Sequence, residues 1–193
     1  MPVSEPKLLG AGEWGYFRDD YLNLDQCRVI LPYTRFEPKV REAIDATGWN
    51  YEPFDVSASD DAYWKLLRVL WGDGKTFIII EHDIVIRPGT LRQLAGCVSH
   101  WCCFPYPMVQ MAAAVSMGCT KFDASLIAEQ PGLIDRIAVL GDLEHPPKHW
   151  CRLDQHIQRD LMRHHYAVCQ HLPPVEHLRP YQGYVHPGHG CLG

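Results

Sequence analysis

The sequence has no apolar run long enough to cross a membrane. Runs such as FIII at residues 77–80 fall far short of the roughly 20 apolar residues that a membrane-spanning helix needs. Residues 1–10 also lack the basic and then apolar pattern of a secretory leader. We therefore expect a soluble, cytoplasmic protein with no membrane partner.

None of the eight cysteines belongs to a C-x-x-C pair, the spacing that is typical of zinc and redox motifs. Disulfide bonds are not expected, because nothing indicates secretion into an oxidising compartment. We expect the cysteines to be buried as small apolar side chains. A structural zinc site is the weaker alternative, because the spacing does not match the usual ligand spacing.

The chain has no excess of positive charge. Its 18 Lys and Arg residues and 23 Asp and Glu residues give a net charge of −5, which argues against a protein that coats nucleic acid. Nine of the 11 histidines lie from His145 onward, so a local contact of this end with DNA phosphates stays open. With 193 residues, 47% of them hydrophobic, the chain is expected to form one folded domain.

The first half of the sequence alternates between strand and helix patterns. Apolar runs at residues 28–33, 51–56 and 76–80 predict strands. Between them, Pro38 opens one predicted helix, and residues 62–71 form another with apolar side chains at helical spacing. This order predicts an α/β fold with a mostly parallel sheet flanked by helices, in which ligands bind at the carboxyl ends of the strands.

The second half is less regular. Residues 101–104, 113–117 and 166–172 are the strands that we predict here. Residues 151–164 predict a helix, because large apolar side chains recur every fourth position.

The most informative segment is the end of the 76–80 strand, where Glu81 and Asp83 flank His82. Two carboxylates that are buried together are unfavourable unless a cation lies between them. Oxygen ligands favour Mg²⁺ or Mn²⁺, ions that also bind diphosphates. A solvated turn after the strand is the alternative interpretation.

An aliphatic strand that ends in acid-x-acid, after strand–helix–strand–helix, resembles the nucleotide-sugar domain of GT-A glycosyltransferases. In that family a D-x-D type motif holds a metal ion on the donor diphosphate, and this chain has E-H-D at residues 81–83. RVILPY at residues 28–33 resembles the first strand of the inverting family-two type. MGCTKF at residues 117–122 resembles its G-x-x-x-F segment beside the acceptor. No Q-x-x-R-W segment is present, so a processive polysaccharide synthase is not expected.

Two later segments extend the resemblance. WCRLD at residues 150–154 resembles the W-x-x-L/E-D segment whose Asp is usually the catalytic base, which implies that role for Asp154. HLPPVEH at residues 171–177 resembles a last strand followed by a metal-binding histidine, which implies that His177 joins Glu81 and Asp83 around Mn²⁺ or Mg²⁺. An acid near a helix start is also favoured by the helix dipole, and a surface histidine is the alternative for His177.

The remaining candidate residues are implied by their places in these motifs. The candidate nucleotide-sugar-binding residues are Pro32, Tyr33, Thr34, Arg35, Asp55 and His82. On the acceptor side they are Gly118 and Trp150. Polar strand ends and aromatic packing explain such positions equally well.

The resemblance also implies a domain organisation. Residues 1–25 form an N-terminal arm, residues 26–180 a single GT-A-like catalytic domain, and residues 181–193 a C-terminal tail. Within the domain, residues 26–100 bind the nucleotide sugar and residues 101–180 bind the acceptor.

The function that the resemblance implies is metal-dependent transfer of a sugar from a nucleotide sugar, a UDP-sugar first, to a hydroxyl acceptor with inversion. A soluble bacterial or phage enzyme is expected. Its acceptor is left open between a hydroxymethylated base in phage DNA, a small saccharide and a protein. A non-catalytic nucleotide- or sugar-binding module and a nucleotidyltransferase are the alternatives. A nucleotidyltransferase normally has a Gly-rich loop after its first strand, whereas this chain has PYTRF at residues 32–36.

Overall fold

A computed structural model describes residues 27–178, apart from residues 109–110, 115 and 143–144. The predicted N-terminal arm and C-terminal tail lie outside the described residues. The strands are β1 (Arg28–Tyr33), β2 (Glu52–Asp55), β3 (Phe77–Ile80), β4 (Ile84–Val85), β5 (Trp101–Cys103), β6 (Tyr106–Met108), β7 (Met111–Ala114), β8 (Cys119–Phe122), β9 (Cys169–Gln170) and β10 (Glu176–His177). The helices are α1 (Pro38–Asp45), α2 (Ala62–Gly72), α3 (Thr90–Gly96), α4 (Ala124–Glu129), α5 (Leu133–Ile137) and α6 (Trp150–Arg163).

Six strands form one mixed sheet in the order β2-β1-β3-β8-β5-β9. Strand β1 runs parallel to β2 and β3, whereas β8 runs antiparallel to β3 and β5, and β9 is parallel to β5. Two small antiparallel pairs, β4 with β10 and β6 with β7, lie outside this sheet. The predicted α/β fold with a mostly parallel sheet and flanking helices is therefore confirmed.

Both faces of the sheet are covered. On β3, Phe77 and Ile79 belong to one buried apolar cluster, which α2, α5 and α6 complete. Ile78 and Ile80 belong to a second cluster, which α1 and α3 complete. Successive side chains of a strand point to opposite faces, so a strand that is buried on both faces must be apolar throughout. This explains why the FIII run was the clearest strand signal in the sequence.

The helix starts follow the local sequence. Helix α1 begins at Pro38, which suits the first turn because its missing N–H has no partner there. The chain leaves this helix through Gly48, which has φ 72°, a value that favours glycine. In the part of the chain that the structure describes, no helix combines the length and the apolar character needed to span a membrane.

The middle of the chain corrects the sequence prediction. The strand predicted at residues 113–117 is wrong in its bounds, because β7 ends at Ala114. Strand β8, in the middle of the sheet, was missed because it contains Lys121, which is only 1% exposed. Its ammonium group is satisfied by a hydrogen bond to the Cys97 carbonyl and by Asp123 at 3.6 Å. In a sequence, a lysine predicts an exposed position, because lysine is buried only where tertiary partners satisfy its ammonium group.

The last predicted strand is also shorter than expected. Of residues 166–172, only Cys169–Gln170 pair with the sheet, and the chain then forms a second short strand at Glu176–His177. Two-residue strands have too little sequence for a period of two to be recognised.

Phe122 tests the first apolar cluster. Its ring lies 5.3 Å from that of Phe77 and 5.6 Å from that of Trp71, and the residue is 0% exposed. Phe122→Ala is expected to lower the free energy of unfolding by about 3–5 kcal/mol, because it leaves a cavity that large neighbours cannot fill. Urea titration measures the change. Val139→Ala, at a position 76% exposed, is the control and is expected to change it by less than about 0.5 kcal/mol. Equal losses in the two variants would contradict this description of the core.

Candidate functional site

The carboxyl ends of β1, β2 and β3 meet at one edge of the sheet. Tyr33 at the end of β1 is paired with Asp55 at the end of β2. Beyond the strand ends, Thr34 Oγ1 lies 3.4 Å from His82 Nε2, which joins the loop after β1 to the loop after β3. The predicted edge site therefore has its residues side by side, as parallel strands require.

Asp83 and His177 are in direct contact. His177 lies in β10, which pairs with β4 immediately after Asp83, and the Leu178 N–H donates to the Asp83 carbonyl at 2.9 Å. His177 Nε2 lies 3.2 Å from Asp83 Oδ2, and Nδ1 lies 2.9 Å from the Pro107 carbonyl oxygen. A carbonyl only accepts, so Nδ1 carries a proton and Nε2 faces the carboxylate. Because Nδ1 is held by a carbonyl oxygen, Nε2 is the nitrogen that could bind a metal ion after losing its proton.

The two groups form an ion pair in this structure. Burial alone would raise the pKa of Asp83, but the hydrogen bond from His177 and the nearby His82 lower it below its ordinary value. Burial likewise disfavours a charged His177, yet Asp83 raises the pKa of the imidazole above its ordinary value. Each group thus holds the other in its charged form.

Glu81 has the opposite electrostatic environment. Burial, followed by the charge of Asp83, raises its pKa to about 8, although a hydrogen bond from Tyr63 Oη at 2.8 Å lowers it in part. The Glu81 carboxyl group therefore keeps its proton at neutral pH unless a cation replaces it. The end of β3 therefore combines one ionised and one protonated carboxyl group.

Asp154 lies in α6 and is half-buried. It accepts hydrogen bonds from Ser116 Oγ at 2.8 Å and from the Gln155 N–H at 2.7 Å. Burial is the main cause that raises its pKa. The first turn of α6, which starts at Trp150, contains no acidic residue. Helix-dipole effects decline within that turn, so the dipole does not explain an acid at this position.

Asp154 and the two strand-end carboxyl groups form one electrostatic unit. The charge of Asp154 contributes to the raised pKa of Glu81. Burial is the main cause that raises the pKa of Tyr63 and of Tyr106, and the charges of Glu81 and Asp154 both add to it. The charges of Asp83, Asp154 and His177, which come from three separate segments of the chain, all act on Glu81.

Gly118 has a packing role that the sequence did not reveal. Its N–H donates to Tyr106 Oη at 3.1 Å, and a Cβ atom at this position would lie 2.5 Å from that oxygen. The Tyr106 ring also meets the His177 ring edge-on, with the ring centroids 5.1 Å apart. Gly118 is buried under this ring, so close approach explains the glycine, and its acceptor-side role stays a prediction.

The predicted nucleotide-sugar residues at the end of β1 have different exposures. Pro32 is buried within the strand, whereas Tyr33 stacks on Phe36 with ring centroids 4.0 Å apart. Arg35 forms an ion pair with Glu37 at 2.9 Å. Tyr33 and Arg35 therefore border the edge, and Pro32 packs inside the sheet.

Two further predicted residues lie at the rim. Asp55 is exposed and accepts the Ser57 N–H at 2.8 Å. Trp150 is half-buried at the start of α6, stacks on His149 with ring centroids 5.7 Å apart, and donates its backbone N–H to the Asp60 carbonyl at 3.1 Å.

Sequence reasoning missed the side chains that support the carboxylates. Tyr63 belongs to the apolar stripe of α2, and Ser116 lies in an irregular segment. The one available signal was the phenol of Tyr63, because a buried tyrosine on an apolar face needs a hydrogen-bond partner. That signal names no partner.

Two groups of candidate metal ligands, neither of which includes Glu81, Asp83 or His177, lie elsewhere in the described residues. The ligand atoms of each group lie within 4.8 Å of one another. The groups are Cys97, Cys102 and His171, and His145, His149 and Cys151. In the second group, His149 Nδ1 accepts the Cys151 backbone N–H at 3.2 Å, and His145 Nδ1 lies 3.2 Å from Asp142 Oδ1.

No protein-family model matches the chain, and no curated protein is significantly similar to it.

Glu81→Gln tests the electrostatics of the edge. In the folded protein Glu81 keeps its proton to about pH 8, whereas a glutamate of the unfolded chain loses it near its ordinary pKa of 4.5. The folded state then binds more protons, so the free energy of unfolding falls as the pH rises through this window. In EDTA, the variant is expected to be more stable than the wild type by about 1–3 kcal/mol at pH 8 and little different at pH 5.

Glutamine still accepts the hydrogen bond from Tyr63, so the substitution removes the ionisation and little else. Glu42→Gln, at an exposed position of α1, is the control and is expected to leave the pH profile unchanged. Thermal unfolding at several pH values measures both. A wild type and a Glu81→Gln variant with parallel profiles would show that Glu81 titrates normally.

Proposed function

We propose that this protein is a metal-dependent glycosyltransferase, which moves a sugar from a nucleotide sugar to a hydroxyl acceptor with inversion. The observation that carries the proposal is the contact of His177 Nε2 with Asp83 Oδ2, 3.2 Å apart, at the carboxyl edge of the sheet. The GT-A resemblance implies a metal ion held by these two residues together with Glu81. A UDP-sugar is the first donor to test.

The donor types of these residues suit a divalent ion with mixed ligands. Asp83 and Glu81 offer carboxylate oxygens, and His177 offers an imidazole nitrogen that its hydrogen bond to Pro107 orients. Carboxylates suit Mn²⁺ and Mg²⁺, but Mg²⁺ demands nearly regular octahedral oxygen ligands, so one imidazole favours Mn²⁺. When bound, such an ion neutralises charge on the departing nucleoside diphosphate.

Asp154 is the proposed general base. An inverting displacement needs one carboxylate that takes the proton from the acceptor hydroxyl group. Burial raises the pKa of Asp154, which brings it closer to the working pH and makes it a better proton acceptor. The hydrogen bond from Ser116 fixes the orientation of one carboxylate oxygen.

The edge residues Thr34, His82 and Asp55 are the proposed contacts for the nucleotide. They border the site at the ends of the three parallel strands, where nucleotides bind in doubly wound folds. Arg35 and Tyr33 flank them. The acceptor is proposed as a hydroxyl group of a hydroxymethylated DNA base, a saccharide or a protein. The DNA proposal comes from the His-rich end of the sequence, and residues 179–193 of that end lie outside the described residues.

The metal proposal is tested by the release of UDP from UDP-sugars, a slow hydrolysis that needs no identified acceptor. Asp83→Asn is expected to abolish Mn²⁺-dependent release, and His177→Ala to raise the Mn²⁺ concentration for half-maximal release at least about tenfold. His164→Ala, at an exposed position beyond α6, is the control and is expected to behave as the wild type. Full release in EDTA would remove the metal from the mechanism. Mn²⁺-dependent UDP binding by the wild type without any release would favour the binding module.

Asp154→Asn separates a general base from a structural acid. Asparagine keeps the shape and the acceptor for Ser116 but takes no proton, so UDP release and transfer are expected to fall by about 10²–10⁴. Donor binding, measured by thermal shift with UDP and Mn²⁺, is expected to persist. Asp160→Asn on the same helix, whose Asp160 pairs with Arg136 at 2.7 Å, is the control and keeps its activity.

Asp154→Asn retaining more than about a tenth of the rate, a loss below the range of a missing base, would reject Asp154. Asp142 and Glu144 are then the next carboxylates to test. Asp142 is exposed and pairs with Arg152 at 2.8 Å, and Glu144 lies outside the described residues.

A further inference from the structure

Outside the proposed active site, three thiols and an imidazole meet between α3, β5 and β9. Cys97 follows α3, Cys102 lies in β5, Cys169 lies in β9 and His171 follows β9. The Sγ atoms of Cys97 and Cys102 and a ring nitrogen of His171 all lie within 4.8 Å of one another. Strands β5 and β9 are parallel and place Cys169 opposite Cys102.

The imidazole is buried and incompletely satisfied. His171 is 4% exposed, and Phe104 stacks on its ring with centroids 5.1 Å apart. No atom of the described residues makes a hydrogen bond of ordinary geometry to His171 Nε2, although Cys97 lies against the ring. A buried polar atom without a partner is destabilising, and such atoms in native proteins usually indicate a missing ligand or water.

Contacts among the three thiols and burial shift their pKa values in opposite directions. Hydrogen bonds with Cys102 and Cys169 lower the pKa of Cys97. Burial raises the pKa of Cys102, and the hydrogen bond with Cys97 raises that of Cys169. The Cys102 thiol donates to the Leu94 carbonyl oxygen, with 3.8 Å between Sγ and O, and all three cysteines are free. A thiolate is the form that binds metal ions.

A buried cation lies next to the cluster. The Lys121 ammonium group donates to the carbonyl oxygen of Cys97, and its charge opposes the effect of burial on the Cys102 thiol. Three thiolates, one neutral imidazole and a divalent ion carry a net charge of about −1. Lys121 supplies the opposite charge within the same buried region.

We propose that Cys97, Cys102, Cys169 and His171 bind one structural Zn²⁺ ion in a Cys₃His site. Four protein ligands of these two types, with no open position, are typical of structural zinc sites. Zn–S bonds of about 2.3 Å place tetrahedral ligand atoms about 3.8 Å apart, a separation compatible with the spread of Cys97, Cys102 and His171. Binding displaces the remaining thiol protons to solvent and involves no redox step.

The proposed zinc ion would hold residues 169–171 to α3 and β5. Strand β9 holds the sheet through two residues only, and the chain continues from His171 to His177, the proposed ligand at the active edge. Zinc would fix this segment to α3 and β5. Metal binding of this kind adds directly to folding stability, because the unfolded chain has no preformed site.

Cobalt substitution tests the site through its colour, because only sulfur ligands give a near-ultraviolet sulfur-to-cobalt absorption band. The wild type, refolded with Co²⁺, is expected to bind about one ion with tetrahedral thiolate spectra, and Zn²⁺ is expected to displace it. Cys97→Ser, Cys102→Ser and Cys169→Ser are each expected to reduce this band and to weaken binding at least about tenfold. The carboxylate site at Asp83 contributes no such band.

Two cysteine variants serve as matched controls. Cys103→Ser replaces the fully buried neighbour of Cys102 on the opposite face of β5, and Cys151→Ser replaces the thiol of the His145 cluster. Both are expected to leave the sulfur band unchanged. A band that Cys151→Ser removes, or that Cys169→Ser leaves intact, would overturn the proposed ligand set.

Because serine at a buried position can prevent folding, native mass spectrometry of proteins with all eight cysteines intact gives a second readout. One zinc atom per chain is expected in the wild type and also in Asp83→Asn, which lacks the carboxylate site. Failure of both to retain zinc after refolding with Zn²⁺ would overturn the proposal. A disulfide between Cys97 and Cys169 in protein purified under reducing conditions would also overturn the proposal.

Discussion

The partial burial of two carboxyl groups, Glu81 and Asp83, at the end of β3 is the constraint on which the rest of the site depends. Like charges cannot both be ionised in a buried place without a compensating cation. The protein meets this constraint in two ways, since Tyr63 donates to a Glu81 that keeps its proton, and His177 pairs with an ionised Asp83. The pairing of the short strand β10 with β4 places His177 next to that carboxylate. In the proposed function, a divalent ion would replace both the proton on Glu81 and the ion pair of Asp83 with His177.

The elements with a clear apolar period could be predicted from the sequence. Strand β3 and helices α2 and α6 were close to their observed bounds because each has enough residues for its period to be recognised. Strand β8 could not be predicted, because its central position depends on a partner for Lys121, which Cys97 and Asp123 supply from other segments. The two-residue strands β9 and β10 exist only through pairing with distant residues.

In the candidate site, too, local motifs could be predicted from the sequence and contacts between distant residues could not. Glu81 and Asp83 were visible as a local motif, whereas the contact between Asp83 and His177 spans 94 residues of sequence and was anticipated only through the GT-A resemblance. Spacing along the chain argued against a zinc site. The structure brings Cys169 opposite Cys102 through parallel pairing of β9 with β5. This pairing register cannot be derived from the spacing of the cysteines along the sequence. Side chains that orient or cover a group, such as Ser116 and Tyr106, have no sequence signal of their own.

The most direct test of the account is a crystal structure with Mn²⁺ and UDP, with an anomalous difference map recorded at the manganese edge. The account predicts a peak between Asp83 and His177, within about 2.0–2.3 Å of a carboxylate oxygen and of Nε2. The ion pair of 3.2 Å between these residues would then be opened by the metal, while Nδ1 keeps its hydrogen bond to Pro107. UDP bound with no manganese at this edge, and with the ion pair intact, would contradict the account.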